Sequence, residues 1–253
     1  MPERGDDLGL ALDLVRRASN IALDHHGRAV SSELKTDGSP VTELDLAIES
    51  MLIDTLTSVR PDDAILSEER GEIGSADRRW LLDPLDGTSL FLDGVDGWGS
   101  LITLQERAES VVAVISRPLE DMVWWAVRDA GTFCGHLSGG SDRRCAVSMS
   151  DTLADARITA WHQGYSPEIE ALSKLPGWRP PCADSVRLFL DGELDAIVSV
   201  GGLVWDHAPL VLLTEEAGGV FRDREGGGRL DLLGGVYANP RIVGDVGQLV
   251  GWF

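Results

Sequence analysis

A two-part α/β architecture, with helices layered on sheets, is what this 253-residue chain predicts. Two long segments with apolar residues at helical spacing open the chain, a block of short β-like runs follows, and strand-like and helix-like segments alternate beyond residue 139. A hydrophobic share of 43% against 25% charged residues is an ordinary globular balance, sufficient for a core in one large or two modest domains.

The first helix is read from "DDLGLALDLVRRASNIALDHHG", where Leu8, Leu12, Val15 and Ile21 keep helical spacing and Gly27 is a stop signal. "ELKTDGSP" is a turn by composition. In "VTELDLAIESMLIDTLTSV", Thr42 is the N-cap candidate and Leu46, Ile48, Leu52, Ile53 and Leu56 form a broad apolar face that ends before Pro61. The runs "AILSEE", "RWLLD", "GSLITLQ", "SVVAVISRP" and "MVWWAVRD" suit a mainly antiparallel sheet, so residues 1–138 read as two helices on that sheet. The Gly- and Ser-rich "HLSGGSDRR" marks the boundary. In 139–253, strands ("ARITAWH", "LDAIVSV", "GGVFRD", "VYAN") alternate with helices ("PEIEALSKL", "DSVRLFL", "WDHAPLVLLTEEAG") as in an α/β domain.

Three cysteines, Cys134, Cys145 and Cys182, make no metal-binding spacing and suit reduced, buried thiols in a cytoplasmic protein. The acidic "MPERGDDLGL" has no apolar h-region, and no stretch approaches the ~20 apolar residues that span a bilayer, so no membrane partner is expected. A net charge of -20 argues against nucleic acid, which is bound by clustered Lys and Arg. Acidity of this kind is ordinarily a solubility device, and it becomes informative only where carboxylates stand in places that solvation does not explain.

"RRWLLDPLDGTSLF" is such a place. The apolar "RWLL" ends at Asp83, at the carboxyl end of a strand, where sites form in open α/β sheets. Pro84 turns the chain, Asp86 stays within reach of Asp83, and Gly87 permits close approach of the backbone to a ligand. Thr88 is placed to cap a short helix at "SLFL", with backbone N–H groups aimed at an anion. Two carboxylates this close repel unless a cation lies between them, and hard divalent ions such as Mg²⁺ take oxygen ligands while holding a phosphate. The ordinary alternative is a solvated Asp-rich turn. Glu68 and Glu69 end another apolar run, where paired carboxylates again need a cation or water; a solvated loop at "EERGE" is the plain reading and a mobile loop closing over metals the alternative, and Asp206 begins an apolar helix, where it would also serve as an N-cap. His207 beside it reads as structural, since Mg²⁺ prefers oxygen.

"WLLDPLDGTSLF", with "SEE" upstream and "WDHAPLVLLTEEAGG" downstream, resembles the inositol monophosphatase family of Mg²⁺-dependent phosphatases, over nearly the whole chain and in the right order with "KTDGSPVTELD" and "GTFCG". "DGSPVTELD" and "VWWAVRDAGTF" look closest to its bacterial histidinol-phosphate phosphatase branch. The resemblance implies an αβαβα layered sandwich, common dimerisation, and two or three Mg²⁺ ions per site. Glu68, Asp83 and the Leu85 carbonyl would hold the first ion and Asp83, Asp86 and Asp206 the second, with a third looser ion near Glu68. Thr88 and Asp45 would position and help deprotonate the attacking water, while N–H groups of Gly87, Thr88 and Ser89 cradle the phosphate. Metal-bound water is a usable nucleophile near neutral pH, so no Ser or Cys nucleophile is required.

The sequence also departs from the family pattern. Leu90 replaces an Asn, Pro180 and Pro181 fall near a Gly-Ser-like substrate loop, and Ser199 stands where inositol-specific members carry an acid. Ser199 weighs against myo-inositol phosphate; the likeness to the histidinol-phosphate phosphatase branch makes histidinol phosphate the first substrate reading, with inositol 1-phosphate or another sugar or cyclitol phosphate as the second. Asp184 is a candidate contact for a cationic substrate group, with capping of "SVRLFL" as its alternative. "DPLDGT" superficially resembles the D-x-D-G-T signature of haloacid dehalogenase-like phosphatases, but the spacing here is D-x-x-D and the motif lies behind two helices. An inactive cation-binding or regulatory pseudo-enzyme is the reading from another class.

Overall fold

The computed structural model describes residues 4–36, 38–162 and 166–253. Asp37 of the "ELKTDGSP" turn therefore lies outside the described residues. The chain divides into two compact units, the first running to Arg128 and including Phe133–Arg143, the second comprising Asp129–Thr132 and Arg144–Phe253.

In the first unit, α1 (Arg4–His25) carries Asp6 and Asp7 in its first turn, where carboxylates suit the helix dipole, and Gly27 follows at a left-handed φ of 73°. β1 (Ser32–Leu34) and β2 (Pro40–Thr42) form a small antiparallel hairpin around the expected turn. α2 (Glu43–Val59) starts at Thr42 as the sequence predicts, its hydroxyl accepting from Leu44 N–H at 3.1 Å and Asp45 N–H at 3.2 Å. One expectation about its face is corrected: Leu46 is 45% exposed, while Asp45 and Glu49 are buried beside Leu44, Ile48, Leu52, Ile53 and Leu56. The buried stripe thus holds two carboxylates four residues apart, which an apolar pattern does not register.

The main sheet contains β3 (Ala64–Ser67), β4 (Gly71–Ile73), β5 (Arg78–Asp86), β6 (Gly99–Glu106), β7 (Glu109–Arg117), β8 (Met122–Val127), β9 (Gly131–His136) and β10 (Arg143–Arg144), in the order β10-β9-β8-β7-β6-β5-β3-β4. The pairs β5–β6, β6–β7 and β7–β8 are antiparallel; β3–β5 is parallel. α1 and α2 bury Leu14, Val15, Ile48 and Leu52 with Trp80, Leu82, Ile102 and Val112 in one core. Glu68–Arg70 of "EERGE" form the tight turn of the β3–β4 hairpin, with Arg70 and Glu72 exposed. Its turn is held by the buried Glu49, which accepts from Glu69 N–H at 3.1 Å, Arg70 N–H at 3.0 Å and the Ser67 hydroxyl.

Asp7 ties this unit together. Fully buried, it accepts from Arg60 Nε at 2.9 Å and pairs with Arg78 Nη2 at 2.7 Å, and Arg78 also reaches Asp63 at 3.0 Å. Removing one member of a buried ion network strands the others. Asp7→Ala should lower the urea-unfolding free energy by about 3 kcal/mol, at the low end for buried pairs because both arginines keep partial contact with water.

The second unit is a four-stranded sheet, β11 (Ile158–His162), β12 (Ala196–Val200), β14 (Gly235–Ala238) and β13 (Val220–Asp223) in spatial order, with only the first pair parallel. Helices α4 (Pro167–Leu172), α5 (Ser185–Leu190), α6 (Val204–Glu216) and α7 (Val243–Leu249) accompany it, the last not expected from the sequence. Cys134 and Cys145 are buried, but Cys182 is exposed, contrary to expectation. No helix among the described residues is long and apolar enough to cross a membrane.

Asp195, fully buried before β12, accepts from Arg157 N–H at 2.6 Å and its guanidinium at 3.0 and 3.2 Å. Burial alone would raise this carboxyl, but Arg157, Ser148 and Ser150 outweigh it and hold it below the usual range. With the folded value depressed, the unfolded chain takes up the proton first, so this contribution is complete above about pH 4 and disappears as pH falls through the folded value. Urea melts between pH 6 and pH 3 should show a shallower acid limb in Asp195→Asn than in the wild type.

Candidate metal centre

Parallel pairing of β3 with β5 sets Ser67 opposite Leu82, so Glu68 and Asp83 leave the two strands side by side. Glu68 N–H donates to Leu82 O at 3.1 Å, carrying the ladder one step further. Carboxyl ends of neighbouring parallel strands are where side chains converge on a ligand.

β5 does not stop at Asp83, as Pro84 suggested. It continues to Asp86 through a register irregularity, and pairing resumes between Asp86 and Gly99. The irregularity absorbs a residue that cannot donate to the ladder, and the Pro84 carbonyl accepts from Ser100 Oγ at 2.8 Å. Leu85 N–H donates to Asp83 Oδ1 at 3.1 Å, which folds the chain back on the carboxylate. Asp83 is 2% exposed, and it and Asp86 offer oxygens within 4.8 Å of each other. At such separation two carboxylates are held against their repulsion.

Gly87 follows at φ 79° and is itself the N-cap of α3 (Thr88–Leu92); Thr88 is the first helical residue, not the cap. A Cβ on Gly87 would lie 3.1 Å from Gly97 O and 3.2 Å from Trp98 Cα, so both conformation and space require glycine. Thr88 Oγ1 lies 3.0 Å from Asp45 Oδ1 and 3.0 Å from Leu85 O. Asp45 is fully buried and also accepts from Thr42 N–H at 2.9 Å and from the Thr42 hydroxyl. Ser89 is exposed.

Three residues around these carboxylates escaped the sequence reading. Lys35, after the β1 strand, donates to Glu68 Oε1 at 2.7 Å and Glu69 Oε1 at 2.5 Å. Burial alone would lower its ammonium, but the two glutamates prevail and raise it. Arg117, ending β7, donates to Asp86 Oδ2 at 3.2 Å. Glu49 pins the turn behind Glu68. Glu49 alone left a sequence signal, as a carboxylate four residues after Asp45 on the buried side of a helix.

In the second unit, Asp206 is the third residue of α6 instead of its cap, and its Oδ2 accepts from Leu203 N–H at 2.6 Å. His207 is structural, as expected: a carbonyl can only accept, so Nε2–H donates to Gly201 O at 2.9 Å and Nδ1 accepts from Tyr237 OH at 2.5 Å. Burial pushes the imidazole below its usual range, which keeps it neutral. A Cβ on Gly202 would lie 2.8 Å from His207 Nε2, so the glycine lets this ring hold the turn that presents Asp206. Asp184 precedes α5 but makes no side-chain cap bond; it accepts from Arg187 Nη2 at 2.8 Å, which corrects the capping alternative. Ser199 donates to Gly201 O at 3.2 Å, and Leu90 is exposed.

The pattern of the Inositol monophosphatase family matches residues 7–248. A histidinol-phosphatase of Streptomyces coelicolor is 34% identical over 240 residues, 89% of this chain and 90% of its own. A Streptomyces griseus protein named glucose-1-phosphate thymidylyltransferase is 41% identical over 256 residues, 99% of this chain and 98% of its own; that name denotes nucleotidyl transfer and disagrees with the family match. The solved structure of a Thermotoga maritima IMPase superposes with a TM-score of 0.84 at 25% identity, covering 97% of this chain and 96% of its own. Fold and relatives together define a phosphoric monoester hydrolase. The chain belongs to the inositol monophosphatase family.

Proposed function

We propose that this protein is a Mg²⁺-dependent phosphatase that hydrolyses a small phosphate monoester with water as the nucleophile, and that its substrate is histidinol phosphate. The observation that carries the reading is the side-by-side exit of Glu68 and Asp83 from parallel strands, with the Asp86 carboxylate within 4.8 Å of that of Asp83.

The donor set fits the metal. Glu68, Asp83, Asp86 and the Leu85 carbonyl offer hard oxygens with no thiolate or imidazole among them, the chemistry that suits Mg²⁺. As the family resemblance implies, Glu68, Asp83 and Leu85 O would hold one ion and Asp83, Asp86 and Asp206 a second, with a third held loosely near Glu68. When bound, the ions supply charge neutralisation for phosphate and a more acidic water. The chain's own part is positional. The Thr88 hydroxyl donates to the buried Asp45, which leaves its lone pairs free to orient the attacking water and accept from it. The N–H groups of Gly87, Thr88 and Ser89 begin α3 without acceptors inside the helix and take phosphate oxygens.

The likeness to a histidinol-phosphatase over most of both chains supports the substrate. Ser199, in place of an acid, weighs against inositol 1-phosphate, which with other sugar or cyclitol phosphates is the second reading. Asp184 meets the substrate's cationic group in exchange for Arg187. The protein acts in the cytoplasm as a homodimer, and light scattering on the purified chain reads the dimer directly.

The test is phosphate release from histidinol phosphate, inositol 1-phosphate, fructose bisphosphate and adenosine bisphosphate, with Mg²⁺ and with chelator. The expected result is Mg²⁺-dependent release, fastest from histidinol phosphate. Faster inositol 1-phosphate turnover transfers the assignment to the second reading, and silence on every monoester leaves a cation-binding pseudo-enzyme.

A further inference from the structure

Arg117 and Asp86 stand on strands separated by β6. Asp86 pairs with Gly99, and carrying the Leu101–Ile115 register two residues along β6 and β7 sets Arg117 on the other side of the same glycine. Two inter-strand spacings amount to about 10 Å, a gap that an arginine and an aspartate bridge only by lying across the residue between them. That residue has no side chain: a Cβ on Gly99 would lie 1.9 Å from Ser116 O and 3.1 Å from Arg117 Nη1. Gly99 thus provides the channel through which the guanidinium reaches Asp86.

Arg117 is 9% exposed. Its Nη2 donates to Asp86 Oδ2 at 3.2 Å and its Nη1 to Ser116 O at 3.1 Å, while the buried Nε has no partner among the described residues. A buried guanidinium with an idle donor is a poor device for stability, because desolvation of a charge is costly unless a counter-charge offsets it. Asp86 is that counter-charge, and it is also a carboxylate assigned to a divalent ion.

We propose that Arg117 is a built-in counter-ion of Asp86, a positioning residue that holds Oδ2 and weakens the grip of the same carboxylate on a divalent cation. This rests on the reading of Asp86 as a metal ligand. Two effects oppose each other. The guanidinium orients Asp86, which would favour a cation at Oδ1, but it also places a positive charge 3.2 Å from the other oxygen of the carboxylate that would hold that cation, in a partly desolvated setting. Repulsion between a single and a double charge at that range exceeds what fixing one short side chain contributes, so the electrostatic effect prevails.

The test is calorimetric titration of Mg²⁺ alone into phosphate-free protein, with Mn²⁺ binding followed by electron paramagnetic resonance. Arg117→Met, which fills similar volume with no buried donor, and Arg117→Gln should each bind the ions about tenfold more tightly or better than the wild type. Arg117→Lys, which keeps the charge, should stay within about twofold. Unchanged or weaker affinity in a folded neutral variant overturns the proposal, as does a Lys variant that behaves like the neutral ones. Failure here with Mg²⁺-dependent turnover intact in the wild type removes only the role of Arg117. Absence of that turnover removes the phosphatase reading itself.

Discussion

Asp83→Asn is expected to lower kcat by about a thousandfold or more while leaving the fold in place. The two halves of this expectation come from different atoms of one side chain. Asp83 Oδ1 accepts from Leu85 N–H, and an amide oxygen accepts that bond equally well, so the bulge in β5 survives. What disappears is the charge that the two proposed ion sites share. In chelator, the variant should melt at the wild-type temperature or above it, because repulsion between Asp83 and Asp86 is relieved. In Mg²⁺ the order reverses: the wild type gains stability by mass action and the variant gains little. Phosphate release at saturating Mg²⁺, with melts in both buffers, measures all of this. Turnover within tenfold of the wild type would remove Asp83 from the metal centre.

This divergence between fold and chemistry also explains what could be read in the sequence. Thr42 was legible as an N-cap because its cue is local, a hydroxyl before an apolar stripe. The Asp83–Asp86–Gly87 turn was legible because an apolar strand ended on charges that solvation does not demand. The end of β5 is not legible, because the irregularity that carries the strand past Pro84 has no local cue in the sequence. The cap of α3 is not legible either, because Gly87, in the left-handed region, takes that position with its backbone alone and leaves Thr88 inside the helix. The exposure of Leu46 and the burial of Glu49 share one reason for being illegible: an apolar pattern cannot foresee a carboxylate buried to hold a distant turn. Lys35 and Arg117 left no trace at all. Their partners are 33 and 31 residues away, and only the pairing of strands brings them within reach.

Thr88→Ala and Asp45→Asn should each reduce kcat by about a hundredfold, and the double variant should lose little more than either alone. The reason is the direction of one proton. In the native chain the Thr88 hydroxyl has two acceptors at equal distance, Asp45 Oδ1 and Leu85 O, and donating to Asp45 leaves the carbonyl free for other duties. An asparagine at 45 keeps one oxygen, and the two Thr42 donors claim it. Its NH₂ then faces Thr88, which must accept from it and turn its own proton onto Leu85 O. The hydroxyl remains hydrogen-bonded and folded in place, but one of the two lone pairs that would orient water is spent and the carbonyl proposed as a metal ligand now accepts a hydrogen bond from the hydroxyl. Thr88→Ala removes the same function directly, so the two losses report a single event and their product overstates the whole. Thr88→Ser, which keeps the hydroxyl, should recover most of the rate. Initial rates for the four members of the cycle supply the coupling. Losses that multiply to about ten-thousandfold would mean that Asp45 and Thr88 act separately, and the hydrogen bond between them would then carry no part of the effect.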